Sequence, residues 1–315
     1  MIKKECFTAE WIEQVSSELH YNDKNLIEKV IRALSLLEML VKAGCPLVFK
    51  GGTALMLILG KSAHRLSIDI DVICPPGTNI EDYLKSFADF GFINLELVER
   101  KQRDDADIPK SHSKFFYQIA YRNDTDAQSY ILLDVLYEDI HYFRTQQIAI
   151  NCPFIRLEGK PLMVTVPSAE DILGDKLTAF APNTTGIPYY KNGRSCSMEI
   201  AKQLYDVGRL FENVSDLQIT KEAFRKIAVV ELSYRSFGTD IGQVFNDIRQ
   251  TALCISTRGK AGEGDFDLIQ DGIIRVKSFM YKQRYLIDHA IIDAARAAYL
   301  ATLIEKGINE IESYS

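Results

Sequence analysis

Residues 46–73 read PLVFKGGTALMLILGKSAHRLSIDIDVI, and this stretch decides the fold. The short apolar run 46–50 fits a strand ending on Lys50. Gly51 and Gly52 punctuate it. Without a Cβ they let the backbone turn sharply and approach a ligand closely. Residues 53–59 resume as an apolar helix, whose first N–H groups are a natural seat for an anion. Thr53 adds a hydroxyl there. Residues 66–73 then alternate Leu66, Ile68, Ile70 and Val72 against Ser67, Asp69, Asp71 and Ile73. Period two marks a strand with both aspartates on one face.

Before this stretch, residues 24–43 carry Ile27, Val30, Ile31, Leu34, Leu37 and Val41 at three- and four-residue steps. That spacing predicts a helix with one buried face, ended by Gly44. After it, segments 92–98, 114–121, 130–137 and 164–166 read as strands. From Ser168, with Asp171 in a capping position, the pattern turns helical. Further helices are expected near 197–212, 219–235, 239–256, 266–282 and 284–306. Residues 182–196 are polar, with Gly and Pro, and read as an exposed loop. The expected architecture is an α+β region, residues 1–165, followed by a helical region, residues 166–315.

The composition is that of an ordinary globular chain, with 47% hydrophobic and 25% charged residues. No stretch approaches the ~18 to 20 apolar residues of a membrane span. The first residues show no signal-peptide pattern, so a cytoplasmic protein with no membrane partner is expected. Six cysteines without a CxxC pair argue against a structural zinc site or a disulfide framework. The net charge of −6 neither requires nor forbids a local basic patch for RNA.

Asp69 and Asp71 point the same way, and their like charges cost energy unless a cation lies between them. Mg²⁺ favours a few carboxylates together with phosphate oxygens and water. The stretch therefore brings a phosphate seat and a metal seat together. Asp134 lies within the apolar run 131–136, where an unpaired acid is costly. It is a candidate third metal-binding or proton-accepting carboxylate, and an acid paired to an arginine is its alternative.

This order of motifs resembles the nucleotidyltransferase superfamily related to DNA polymerase β. More narrowly, GGTALMLILG followed by HRLSIDID is similar to the AbiEii/AbiGii toxin family, with Arg65, Ser67, Asp69 and Asp71 filling its Arg-x-Ser-x-Asp-x-Asp motif. Residues 175–179 (DKLTA) resemble the family's lysine motif, and 202–207 (KQLYDV) its later acid motif, with Lys-Gln where Arg-Asp is frequent.

The resemblance implies a mixed nucleotidyltransferase sheet with flanking helices. It implies an enzyme that moves a nucleotidyl group from an NTP to an acceptor hydroxyl with Mg²⁺ or Mn²⁺. Gly51, Gly52, Thr53, Arg65, Ser67 and Lys176 would bind the nucleotide. Asp69, Asp71 and Asp134 would bind metal, and Lys176 and Asp206 would complete the catalytic set. It also implies a toxin of a toxin–antitoxin or phage-defence system, with tRNA as acceptor and a cognate antitoxin as partner. A protein hydroxyl as acceptor and a non-catalytic nucleotide-binding module are the competing readings.

Blander roles stand beside several of these residues. Lys176 can be a solvated or snorkelling lysine, Asp206 can pair with Lys202 one turn away, and Arg65 can pair with Asp69 or Asp71. His64, His112 and His141 lack ligand spacing. Lys110 to Lys114, around His112, is a small basic run that reads as a plain surface turn, with a phosphate contact as its alternative. Tyr189, Tyr190, Lys191 and Arg194 interleave aromatic and basic residues on a loop, either to stack an RNA end or with no such role.

Overall fold

The computed structural model describes residues 1–98, 110–122, 127–214, 216–234 and 240–311. The helix α1 (Ala9–Leu19) precedes the expected long helix α2 (Lys24–Lys42). Thr8 caps α1 by accepting from the Trp11 N–H. The decisive stretch forms β1 (Val48–Lys50), α3 (Gly51–Leu59) and β2 (Ile70–Cys74). It is followed by β3 (Asn94–Val98), β4 (Lys110–Gln118) and β5 (Gln128–Tyr137). Lys110 to Lys114 thus opens a strand rather than a surface turn.

Among the described residues these strands form one mixed sheet in the order β1-β2-β5-β4-β3. β2 and β5 run parallel, and the other neighbours are antiparallel. A ribbon of β6 (Thr145–Ala149) and β7 (Met163–Pro167) follows. β6 was not expected, because TQQIA carries no apolar alternation and its first residues are exposed.

The helical region begins with α4 (Ala169–Ala179), capped by Ser168, whose hydroxyl accepts from the Asp171 N–H. The polar segment after it is not all loop: β8 (Tyr190–Lys191) and β9 (Arg194–Ser195) form a small hairpin. Then come α5 (Ser197–Phe211), α6 (Leu217–Ser233), α7 (Ile241–Ser256), α8 (Phe266–Val276) and α9 (Ile287–Lys306). The expected helix limits at 235 and 239 lie outside the described residues. The expected helix 266–282 stops at Val276, and the chain then forms a strap across the sheet region. There the Leu66 N–H donates to the Phe279 carbonyl, and Arg65 bridges Met280. The architecture is α+β: a mixed sheet with flanking helices and a helical C-terminal region. No helix among the described residues is long and apolar enough to cross a membrane.

Two apolar cores result, and they trade residues. The first gathers α1, α2 and the sheet but also Tyr281 from the strap. The second gathers the C-terminal helices but also Leu55 from α3. Close helix crossing in the second core depends on Gly174. A Cβ there would stand 2.7 Å from the Phe224 amide nitrogen and 2.9 Å from the Thr220 carbonyl oxygen of α6. Backbone atoms cannot give way as a flexible side chain can. Gly174→Ala is expected to destabilise the protein by roughly 1 to 3 kcal/mol through overpacking. Denaturant unfolding checks this, and an unchanged midpoint would refute it.

Candidate active site

The turn between β1 and α3 holds the site together. Gly51 has φ of +77°, a conformation that glycine adopts without strain. A Cβ at Gly51 would lie 2.1 Å from Asp71 Oδ2, so the carboxylate occupies the space a side chain would fill. A Cβ at Gly52 would lie 2.6 Å from Ser67 Oγ and 3.1 Å from an Arg65 guanidinium nitrogen. The two glycines therefore bring the start of α3 directly against Asp71, Ser67 and Arg65. No side chain caps α3, which leaves its first N–H groups for an anion.

Asp71 lies on β2, opposite Lys50 of β1 and beside Asp134 of β5 in the parallel register. Asp69 stands one residue before β2. Thr53, fully buried, fixes it there: its hydroxyl donates to the Asp69 carbonyl at 2.7 Å. The Thr53 side chain thus points into the protein. Burial, followed by the charges of Asp69 and Asp134, pushes the Asp71 carboxyl up to about 7. Burial also raises Asp69, an effect that Lys202 opposes and Asp134 reinforces.

These acids offer oxygen donors only, the chemistry that hard divalent cations prefer. Their mutual repulsion is what a cation would relieve. Among the described residues no three His, Cys, Asp or Glu side chains form a ready-made metal cage. A nucleotide-bound metal does not need one, because phosphate oxygens and water complete its shell. The residues present therefore fit a divalent cation.

Behind the turn lies a buried ion cluster. Both oxygens of Asp206 accept from one Arg65 nitrogen at 2.7 and 2.8 Å, and Arg65 Nε adds a third bond at 3.1 Å. Lys176 Nζ lies 3.1 Å from Oδ2 of the same carboxylate. All three residues are buried. Burial alone would raise Asp206, but the Arg65 and Lys176 charges prevail and hold it below the usual carboxylate range. Asp206 makes these contacts rather than a helical pair with Lys202, and Arg65 pairs with it rather than with Asp69 or Asp71. The carboxylate therefore fastens α5 to α4 and to the segment leading into β2.

The model of the nucleotidyl transferase AbiEii toxins, type IV toxin–antitoxin system, matches residues 34–286. The chain belongs to the AbiEii family. It is a nucleotidyltransferase of the toxin–antitoxin class. Among solved structures it is similar to JHP933 from Helicobacter pylori, at 15% identity over 98% of this chain and 95% of that one, with a TM-score of 0.44. It is also similar to MenT4, the nucleotidyltransferase toxin Rv2826c from Mycobacterium tuberculosis H37Rv, at 16% identity over 93% and 89%, with a TM-score of 0.47. A comparison with curated proteins gives no match.

Three further groups of this AbiEii chain stand at the site, outside the set of site residues expected from the sequence. His112 Nδ1 lies 2.5 Å from Asp134 Oδ1, and the two residues face each other in the β4–β5 register. Asp134 is thus paired to a histidine and not to an arginine. Lys50 sits 3.6 Å from Asp175 Oδ2, which also accepts from the Tyr142 hydroxyl at 3.0 Å. Burial would lower Lys50, but Asp175, Tyr142, Glu138 and Asp71 outweigh it and hold its charge firmly. Lys202 lies 3.9 Å over the Phe279 ring. Burial and the Arg65 cation lower it to about 8, against the pull of Glu199 and Asp69. The signal for Lys50 and Asp175 was adjacency: each directly precedes a motif residue, Gly51 or Lys176. The other two groups needed the sheet register and the strap.

Proposed function

We propose that this AbiEii enzyme moves a nucleotidyl group from an NTP to a hydroxyl of an RNA acceptor, tRNA above all, and releases pyrophosphate. The observation that carries this is the Gly51 turn, which packs the uncapped start of α3 against the Asp71 carboxylate. A triphosphate seat and an acidic metal seat then share one wall. Gly51, Gly52 and Ser67 line the phosphates, and Thr53 supports the turn from behind. Asp69, Asp71 and Asp134 would hold Mg²⁺ or Mn²⁺. Such a cation would supply neutralisation of the phosphate charge.

Arg65 and Lys176 add positive charge beside the turn, and Asp206 keeps both in place. The acceptor oxygen bonds to the α-phosphorus while the bond from that phosphorus to the oxygen bridging to the β-phosphate breaks, and pyrophosphate leaves with the bridging oxygen. Asp134 takes the proton of the attacking hydroxyl. Residues 1–165 form the nucleotidyltransferase domain and residues 166–315 a helical domain that completes the cleft. The enzyme acts in the cytoplasm as the toxin of a toxin–antitoxin or phage-defence pair, held in check by a cognate antitoxin protein.

Incubation with each labelled NTP, Mg²⁺ and total tRNA tests this. The expected result is label on RNA with the wild type and none with Asp69→Ala. Absence of label on any RNA, from a folded wild-type protein, would overturn the reading.

A pH effect accompanies it. The raised Asp71 carboxyl means that the metal-free folded chain holds an extra proton between about 4 and about 7. Through this group the metal-free chain loses stability as pH rises across that window. The cation binds the deprotonated form, so its affinity grows over the same window. Mg²⁺ is expected to raise Tm more at pH 8 than at pH 6, as read by scanning calorimetry with and without EDTA. Equal shifts at both pH values would contradict it.

A further inference from the structure

We propose that the β8–β9 hairpin docks the single-stranded end of the RNA acceptor, with the open groove between its turn and the start of α5 taking a terminal nucleoside. This rests on the RNA-acceptor reading above and assigns that acceptor a place. The hairpin is a built element. Asn192 and Gly193 both have positive φ, 52° and 74°, as a tight two-residue hairpin turn requires. Tyr189, just before it, packs against the helical core and anchors it.

The tip is chemically distinct from the rest of the chain. Tyr190 is 57% exposed. Lys191 and Arg194 are exposed, and among the described residues neither is held in an ion pair. The stretch 186–196 contains no acid, in a chain whose net charge is −6. An open groove runs along it, lined by Lys191, Asn192, Arg194, Ser195, Cys196 and Glu199.

Its position connects it to the carboxylates. Glu199 and Lys202 lie one turn apart at the start of α5. Lys202 packs over the ring of Phe279, a residue whose carbonyl accepts from the Leu66 N–H, and further along α5 Asp206 holds Arg65 beside the glycine turn. From the first residue of α5 to Lys202 the axis advances about 7.5 Å. An acceptor strand entering along α5 would therefore meet the hairpin first and the carboxylates next. Exposed aromatic rings stack bases of any sequence, and paired cations follow the phosphates. Glu199 can accept a hydrogen bond from an exocyclic base amine, as carboxylates do from cytosine.

The test uses the full-length protein, labelled NTP, Mg²⁺, and either total tRNA or an unstructured RNA oligonucleotide. The variants are Tyr190→Ala and the double replacement Lys191→Glu with Arg194→Glu. Both are expected to raise the RNA KM tenfold or more while NTP KM and Tm stay unchanged. The salt dependence of RNA binding by the double variant is expected to fall in slope by about 2. An unchanged RNA KM in both variants would overturn the docking site and leave nucleotidyl transfer to RNA standing. Wild-type transfer to a protein partner and not to RNA, or no RNA binding at all, would overturn both.

Discussion

Replacing Asp71 by asparagine is expected to cut nucleotidyl transfer by at least about 1000-fold, or about 4 kcal/mol of transition-state stabilisation. The metal-free variant is expected to melt no lower than the wild type. The side chain keeps its shape, so the close fit against Gly51 survives. What it loses is a charge that burial and two neighbouring carboxylates already disfavour. Removing a penalised charge does not weaken the resting fold. Label-transfer rates and a melting curve at pH 8 without metal check both halves. A drop in Tm of several degrees would make Asp71 a structural residue instead.

The opposite balance is expected at Asp206. Asp206→Ala strips the shared acceptor from Arg65 and Lys176, each of which is only 7% exposed. Two cations would be left buried and unpaired. Breaking a buried ion pair from one side costs roughly 3 to 5 kcal/mol, on the order of 10 °C in Tm. Asp206→Asn keeps one acceptor oxygen and is expected to lose less. Calorimetry on both variants decides the matter. A wild-type Tm for Asp206→Ala would show that the ion cluster does not brace α5. Stability is thus expected to separate the two aspartates where activity does not.

The sheet half of this arrangement was legible because its signals are local. The Gly-Gly punctuation and the period-two aspartates lie within one short stretch, and the strand and helix they imply are present. The start of β2 was misjudged for a reason that is not local. Leu66 looks like a strand residue, but its N–H pairs with Phe279, far along the chain. That contact belongs to the strap, which a continuous helical pattern through 266–282 concealed.

The β8–β9 hairpin is a different case. Asn192-Gly193 is a recognised turn signal, but the flanking strands are too short and polar to show any alternation. The histidine beside Asp134 was unreadable without the β4–β5 register, since His112 and Asp134 are adjacent only across the sheet. The partners of Asp206 were hidden for the same reason: Arg65 and Lys176 come from two other elements, and no spacing in one helix encodes them.

Leu55 belongs to the helical core, yet it sits one helical turn after Gly51 on α3. Tyr281 repays the exchange by entering the sheet core from the strap. The two halves are therefore keyed to each other through the same short helix that starts at the glycine turn. A C-terminal helix drawn away from the sheet would lose the packing of Leu55 or pull α3 with it. Movement between the two cores is therefore transmitted to the glycine turn that packs against Asp71.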